Sequence, residues 1–346
     1  MIDVLVVGGG PAGLATALYA ARAGLEVTVL EPRALPVDKA CGEGLMPGAV
    51  AALAELGVRP DGWPLAGIRY LDARRSVDAD FAAGPGLGVR RTALHTAMTA
   101  AVERAGVAVL PVAATGLRQD SGAVHVAGHS ARYLVAADGL HSGVRRELGL
   151  EVARPTSKRA RSARYGLRAH VRLAPWTNHV EVHWARDAEA YVTPVAADLV
   201  GVAVLSARRA PYDVQLTAFP RLLERIADAP RVTDVRGAGP LRQRVSRRVA
   251  GRVLLVGDAA GYVDALTGEG IALAVASARE LVASLRAGRP EDYERRWLQV
   301  TRRYRWLTGG LLAARSRAGL GAAVVPAAHA LPRVFGAAVD QLAHRL

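Results

Sequence analysis

The sequence predicts an α/β fold: a parallel sheet-and-helix unit, interrupted by an inserted antiparallel β-sheet and followed by a helical C-terminal segment. Three observations carry this. A glycine-rich turn joins an apolar strand to a helix at the N-terminus. Four strand-like runs follow one another between residues 165 and 205. Helical composition then prevails in Ala272–Leu285 and from Trp306 to Leu346.

Bulk composition narrows the function classes. The 346 residues suffice for one large domain or two closely joined ones. Apolar residues make up 51% of the chain but aromatic ones only 5%, so the core must be built from Ala, Val and Leu. The net charge is +14, yet Lys39 and Lys158 are the only lysines among 45 basic residues, and the arginines are dispersed. No basic-aromatic stretch and no zinc-ligand spacing accompany them, so neither nucleic-acid binding nor a metal site is expected. The single cysteine, Cys41, excludes an internal disulfide and fits a reducing cytoplasm. Met1 leads directly into an apolar strand without a charged leader, and a cytoplasmic location is expected. The longest apolar stretch, Ala318–Leu331, is broken by Pro326 and His329. It reads as packing against the body of the protein, with peripheral membrane contact as the alternative.

The N-terminal element is a strand, Ile2–Val7, then Gly8-Gly9-Gly10-Pro11-Ala12-Gly13, a helical run Leu14–Ala23, and a second strand Glu26–Leu30 ending at Glu31. Gly8, Gly10 and Gly13 match the G-x-G-x-x-G spacing in its required strand–turn–helix context. Gly8 permits the tight turn, Gly10 lets backbone amides approach a pyrophosphate, and Gly13 lets helix pack on strand. The helix N-terminus, opened by Pro11 and Ala12, then faces the phosphates. Glu31 stands where a carboxylate takes ribose hydroxyls, with Arg33 beside it. This pattern alone leaves NAD and FAD equally open.

Three later segments resemble one family, the para-hydroxybenzoate-hydroxylase-like flavoproteins of the group A monooxygenase superfamily. Val89-Arg90-Arg91-Thr92-Ala93-Leu94-His95 resembles their Arg-x-x-Leu-His helix start; Asp138-Gly139, followed by Ser142, Val144 and Arg145, resembles their Asp-Gly segment; Val256-Gly257-Asp258-Ala259-Ala260-Gly261 resembles their Gly-Asp segment. The resemblance implies FAD, held in a Rossmann-like domain of the glutathione-reductase type. Arg91 would reach the pyrophosphate or ribityl region, Asp138 would lie near the cofactor, and Asp258 would take a ribityl hydroxyl. Gly268, Gly270 and Ile271 would open a helix toward the isoalloxazine ring. The family's proline before that glycine pair is replaced by Ala265.

The resemblance also sets domain limits: residues 1–65, 89–155 and 246–305 for FAD, 66–88 and 156–245 for a substrate sheet, and 306–346 for a C-terminal helical segment. That last segment would lie beneath the cofactor domain or serve as a lid. Strands are expected at Tyr165–Leu173, His179–Trp184, Ala190–Val195 and Leu199–Leu205, with a helix at Val214–Ala227. No separate NAD(P)H domain is visible, so NADPH or NADH would visit the flavin pocket transiently, or another protein would supply electrons.

Cys41-Gly42-Glu43-Gly44-Leu45 resembles the Cys-Gly-x-Gly loop of geranylgeranyl-reductase-like flavoproteins. Cys41 and Gly42 would approach the flavin, making Cys41 a catalytic candidate. Tyr191 is the second, placed where those reductases carry Trp in a Tyr-x-Trp-x-Phe-Pro segment. His170, His179 and His183 are weaker candidates, His95 a packing residue, and Lys39 and Glu43 solvated loop charges. Thr156–Arg164 is basic enough to meet an acidic substrate group. Three chemistries follow from these resemblances. The first is a monooxygenase using O2, through a flavin peroxide, on a hydrophobic aromatic, polyketide-derived or phenolic-lipid substrate. The second is a reductase of isoprenoid double bonds. The third, a flavin halogenase, lacks its Trp-x-Trp-x-Ile-Pro segment. The oligomeric state is left open.

Overall fold

The computed structural model describes residues 1–153, 163–315 and 321–343, and most of Thr156–Arg164 lies outside them. Five parallel strands form the body of the eight-stranded first sheet, in the order Val253–Leu255, His129–Ala136, Ile2–Val7, Val27–Leu30 and Ala108–Leu110, with three short antiparallel strands beside them. The parallel strands are near-continuous runs of Val, Leu and Ala because helices cover the sheet, so both strand faces are buried. The Pro11–Arg22 and Gly270–Arg286 helices pack together over it, their Ala-rich faces allowing close approach.

The second sheet runs Arg236–Ala238, Tyr165–Arg172, Leu199–Ser206, Ala188–Ala196, His179–Trp184, Gly67–Leu71 and Ser76–Asp80. It is antiparallel except at one join: His179–Trp184 pairs in parallel with Gly67–Leu71. A parallel join needs a long crossover, and here the intervening chain builds much of the first sheet before returning. The expected strands lie within a residue or two of their positions. The expected single helix at Val214–Ala227 is instead two, Tyr212–Leu216 and Pro220–Ile226, because Pro220 cannot continue a helix and instead starts the second one.

The C-terminal region departs from expectation. The Asp292–Arg315 helix runs unbroken through position 306. The Val324–Ala330 and Pro332–Ala343 helices pack on the second sheet, against Gly67–Leu71 and Ser76–Asp80, and not beneath the first. Phe335 stacks on Tyr70 with centroids 4.7 Å apart, and Tyr70 on Trp184 at 5.3 Å. Arg164, at the edge of the undescribed segment, is committed internally. It donates to Glu189 Oε2 at 2.6 Å and lies 3.3 Å from Asp264 Oδ2, while Arg315 pairs with Glu189 from the long helix.

Candidate functional site

The glycine-rich turn is sterically closed at two points. Gly8 has φ +105°, and a Cβ there would lie 2.5 Å from the Ala137 carbonyl oxygen; one on Gly13 would lie 1.9 Å from Gly8 O. Gly10 is different: the nearest atom to its added Cβ is Arg91 Nη2 at 3.9 Å, so the space above it is open. No side chain caps the Pro11–Arg22 helix and no acid stands in its first turn. Its free amides and dipole therefore face this open space. His95, fully buried, donates Nε2–H to Gly9 O at 2.9 Å and so orients the turn; burial holds its pKa below the usual value, with the Gly9 bond opposing.

Glu31 accepts from Gly9 N at 2.8 Å, from Arg33 N at 3.0 Å, and from Arg33 Nε and Nη2 at 2.7 and 2.6 Å. Burial works to raise its pKa, but these donors hold the carboxyl below the usual range. A carboxylate offers about four acceptor positions, so all are occupied here. A ribose hydroxyl can bind only if the exposed Arg33 side chain swings away.

One cavity joins the two sheets. Gly10, Pro11, Ala12, Arg33, Cys41, Gly42, Arg91, Asp138, Gly257, Asp258, Gly268, Gly270 and Ile271 line it on the first-sheet side; Gly8, Gly13 and Glu31 stand behind this lining. Across from them are Ile68, Tyr70, Val180, Val182, Tyr191, Ala203, Leu205 and Leu241. Two buried polar atoms on this path have no protein partner, Asp138 Oδ1 and Arg91 Nε. Asp138 Oδ2 accepts from Val144 N at 3.1 Å. Arg145 stitches the two acidic segments together, donating to Ala259 O at 3.2 Å and Leu140 O at 2.8 Å. Asp258 sits in a short 3-10 turn, Gly257–Ala260, with Lys39 Nζ at 3.4 Å. The unpaired anion-binding and hydroxyl-accepting groups, the open space over Gly10 and the uncapped helices fit FAD lying along this cavity.

The loop that lacks the family's proline is braced from outside. Tyr304 OH donates to Asp264 O at 2.8 Å and accepts from Asp264 N at 3.2 Å, and Thr267 pairs with Thr308 at 3.1 Å. Tyr191 donates its hydroxyl to Leu266 O at 2.9 Å, and burial raises its pKa well above the usual value, so its ring faces the cavity while its proton is committed. The Cys41 thiol is likewise pushed up by burial, against the attraction of Arg91, and stays protonated.

Strand register decides the histidines. Val180 and Val182 point into the cavity, so His179 and His183 lie on the other face, bound to Asp80 at 2.7 Å and Glu181 at 3.1 Å. Lys39, its side chain 36% exposed beside Asp258, keeps contact with solvent, but Glu43 is not a solvated loop charge. Glu43 is 3% exposed, with φ +61°. Its Oε1 accepts from Arg91 N at 2.9 Å and its Oε2 from His170 Nε2 at 2.6 Å, with Arg168 at 3.7 Å. A Cβ on Gly201 would come within 2.9 Å of that Oε2, and Thr193 Oγ1 donates to Gly42 O at 2.7 Å. Three strands of the second sheet thus hold the Cys41 loop. The available signal was a lone acid between two glycines, which reads equally well as a turn.

A family model described as FAD binding domain matches residues 1–292. The chain is 33% identical over 333 residues to menaquinone reductase of Mycobacterium tuberculosis, covering 85% of this chain and 78% of that protein. It is 28% identical over 300 residues to digeranylgeranylglycerophospholipid reductase 1 of Methanothermobacter thermautotrophicus, covering 78% and 73%. Among solved structures, the flavin-dependent halogenase CmlS is similar with TM-score 0.78 at 21% identity, over 91% of this chain and 64% of that one. The halogenase PltM, in complex with phloroglucinol and FAD, gives 0.75 at 17% identity, over 98% and 86%. At those identities the structures share the fold. The match over most of the chain and the reductase relatives lead to one conclusion: this protein belongs to the FAD-binding-domain family and is an FAD-dependent oxidoreductase.

Proposed function

We propose that the protein reduces carbon–carbon double bonds in the polyisoprenoid chain of a lipid. One observation carries this: the wall facing the glycine turn is mainly aliphatic and aromatic, from Ile68 and Tyr70 through Val180 and Val182 to Ala203, Leu205 and Leu241, and the charged side chain the second sheet adds to the lining, Arg168, is buried and committed to Asp38 and Lys39 O. Such a wall suits a long hydrocarbon better than a hydroxylated ring, which would leave polar groups unpaired. The names of the two reductase relatives support the reading, since menaquinone and digeranylgeranyl lipids both carry polyisoprenoid chains. The sequence alone favoured a hydroxylase, and the apolar wall and these relatives move the preference.

Bound FAD would supply the hydride. This chain's residues would do the rest. The glycine turn, Arg91, Asp138 and Asp258 would hold the cofactor, and the Gly270–Arg286 helix would present its N-terminus to it. The apolar wall would orient the double bond and exclude water. Cys41, whose thiol burial keeps protonated, would hold a proton at Sγ beside the cavity, and Tyr191 would contribute its ring. NADPH, NADH or a protein donor would reduce the flavin, there being no second dinucleotide cradle among the described residues.

The test is anaerobic. Photoreduced holoenzyme is mixed with a polyprenyl lipid, and flavin reoxidation is followed by absorbance and the lipid by mass spectrometry. Reoxidation with gain of two hydrogens per double bond supports the proposal. Product formation only with oxygen, with one oxygen atom added to a phenolic substrate, would establish the hydroxylase instead.

A further inference from the structure

The Asp292–Arg315 helix buries Tyr293, Trp297, Thr301, Tyr304 and Thr308, a stripe at three- and four-residue spacing. Its opposite face presents Arg295, Leu298, Arg302, Arg305 and Trp306, all exposed; Arg295 pairs with Asp292 one turn back at 3.2 Å, so Arg302 and Arg305 carry the positive charge of this face. Trp306 is 76% exposed, the most of any large apolar side chain described. Leaving an indole in water forgoes the free energy of burying it, and Trp306 is joined on this face by exposed Leu298.

A second helix lies beside the long one. Arg303 hydrogen-bonds Gln341, which ties the long helix to Pro332–Ala343. That second helix turns Phe335 inward onto Tyr70, which lines the cavity, while Val334 is 63% and the preceding Leu331 57% exposed. The outer surface is thus separated from the apolar end of the cavity by one helix and one ring pair.

We infer that this face docks the protein on an anionic lipid bilayer. Arginines meet phosphate headgroups, and Trp306 with Leu298 sinks to the interfacial depth that indole rings favour. The net charge of +14 draws the protein to a negative surface over a longer range. No described helix is long and apolar enough to cross a membrane, so contact is with the surface. A second copy on the same face would set arginine against arginine around its two-fold axis, which like-charge repulsion disfavours. Of the stretch Ala318–Leu331 suggested by hydropathy only its end, Leu331, adds to the face; the docking elements are the two helices on either side of it. The inference rests on these helices and not on the reductase reading.

Flotation of the FAD-loaded full chain with vesicles tests it without any turnover. Vesicles of phosphatidylcholine containing a quarter phosphatidylglycerol are compared with phosphatidylcholine alone, at low and high salt. The wild type is expected to float with the anionic vesicles and to be released by salt. Trp306→Ser, and Arg302→Glu combined with Arg305→Glu, should keep the flavin spectrum and weaken binding by about ten-fold or more. The emission lost in Trp306→Ser should be the part that shifts to the blue on binding. Equal flotation of variants and wild type overturns the inference, as does a wild type that never floats. A concentration-dependent dimer abolished by Trp306→Ser would assign the face to a second copy and overturn it too.

Discussion

Removing the Glu43 carboxylate should loosen the Cys41–Leu45 loop at a cost set by its buried partners. Glu43, His170 and Arg168 side chains are each 1% exposed or less. His170 Nδ1 accepts from Arg168 Nη1 at 3.3 Å and lies 3.1 Å from Thr233 Oγ1, which itself accepts from His170 N. Nδ1 is therefore the acceptor nitrogen, and Nε2 carries the hydrogen given to Glu43. In Glu43→Ala, Nε2–H and Arg91 N are both left buried and unsatisfied, at about 1–3 kcal/mol each, and Arg168 loses one neutralising charge. The sum, about 3–5 kcal/mol, matches the usual cost of breaking a buried pair from one side. Glu43→Gln keeps one acceptor but turns an amide N–H toward one of the two donors, so about 1–3 kcal/mol should go. Because Arg91 and Cys41 move with the loop, the FAD dissociation constant should rise as well. Urea unfolding of apoprotein and holoprotein measures the first quantity and flavin fluorescence titration the second. Glu43→Gln with His170→Gln should show a coupling energy of about 1 kcal/mol or more in a double-mutant cycle. Glu43→Gln within about 0.5 kcal/mol of wild type, with unchanged FAD affinity, would refute the reasoning.

Gly13→Ala should be folding-defective, since its Cβ would lie 1.9 Å from Gly8 O, whereas Gly10→Ala, with open space at its Cβ, should fold and bind FAD weakly; circular dichroism and bound-flavin absorbance separate the two. Glu269 has a pKa raised to about 7 by burial, with the Thr267 hydrogen bond opposing. Between the unfolded value near 4.5 and about 7 the folded state binds the extra proton, so stability should fall as pH rises through that window, by up to about 3 kcal/mol. Urea midpoints across that range should show the decline in wild type and lose it in Glu269→Gln. Tyr304→Phe removes both bonds to Asp264 and should cost about 1 kcal/mol in the same assay, with faster FAD release in stopped-flow fluorescence.

Much of the cavity lining on the first-sheet side was legible along the chain because each part is a local pattern. The turn Gly8–Gly13 is readable since the strand before it and the helix after it are contiguous in sequence. Asp138 and Asp258 are readable since each ends an apolar strand. The second sheet was readable as strands but not as a surface. His179 and His183 share a parity, as the alternation required, but register with Gly67–Leu71 put that parity away from the cavity. A slip of one residue would have reversed the outcome, and nothing local fixes it. Pro220 lies within the run Val214–Ala227, and its lack of a backbone N–H divides that run into two helices.

By itself, the sequence determined the fold class, the glycine-rich turn and the strand-ending Asp138 and Asp258 segments that line the cavity, because contiguous residues specify strand, turn and helix. Only the tertiary structure decided which residues act together. Glu43 and His170 are 127 residues apart and meet at 2.6 Å; Tyr304 reaches back 40 residues to brace the loop at Asp264. It also decided that the C-terminal helices close over the second sheet and leave Trp306 outward. Burial turns a solvated charge into a fixed partner and a helix face into a surface, and burial depends on what the rest of the chain brings alongside.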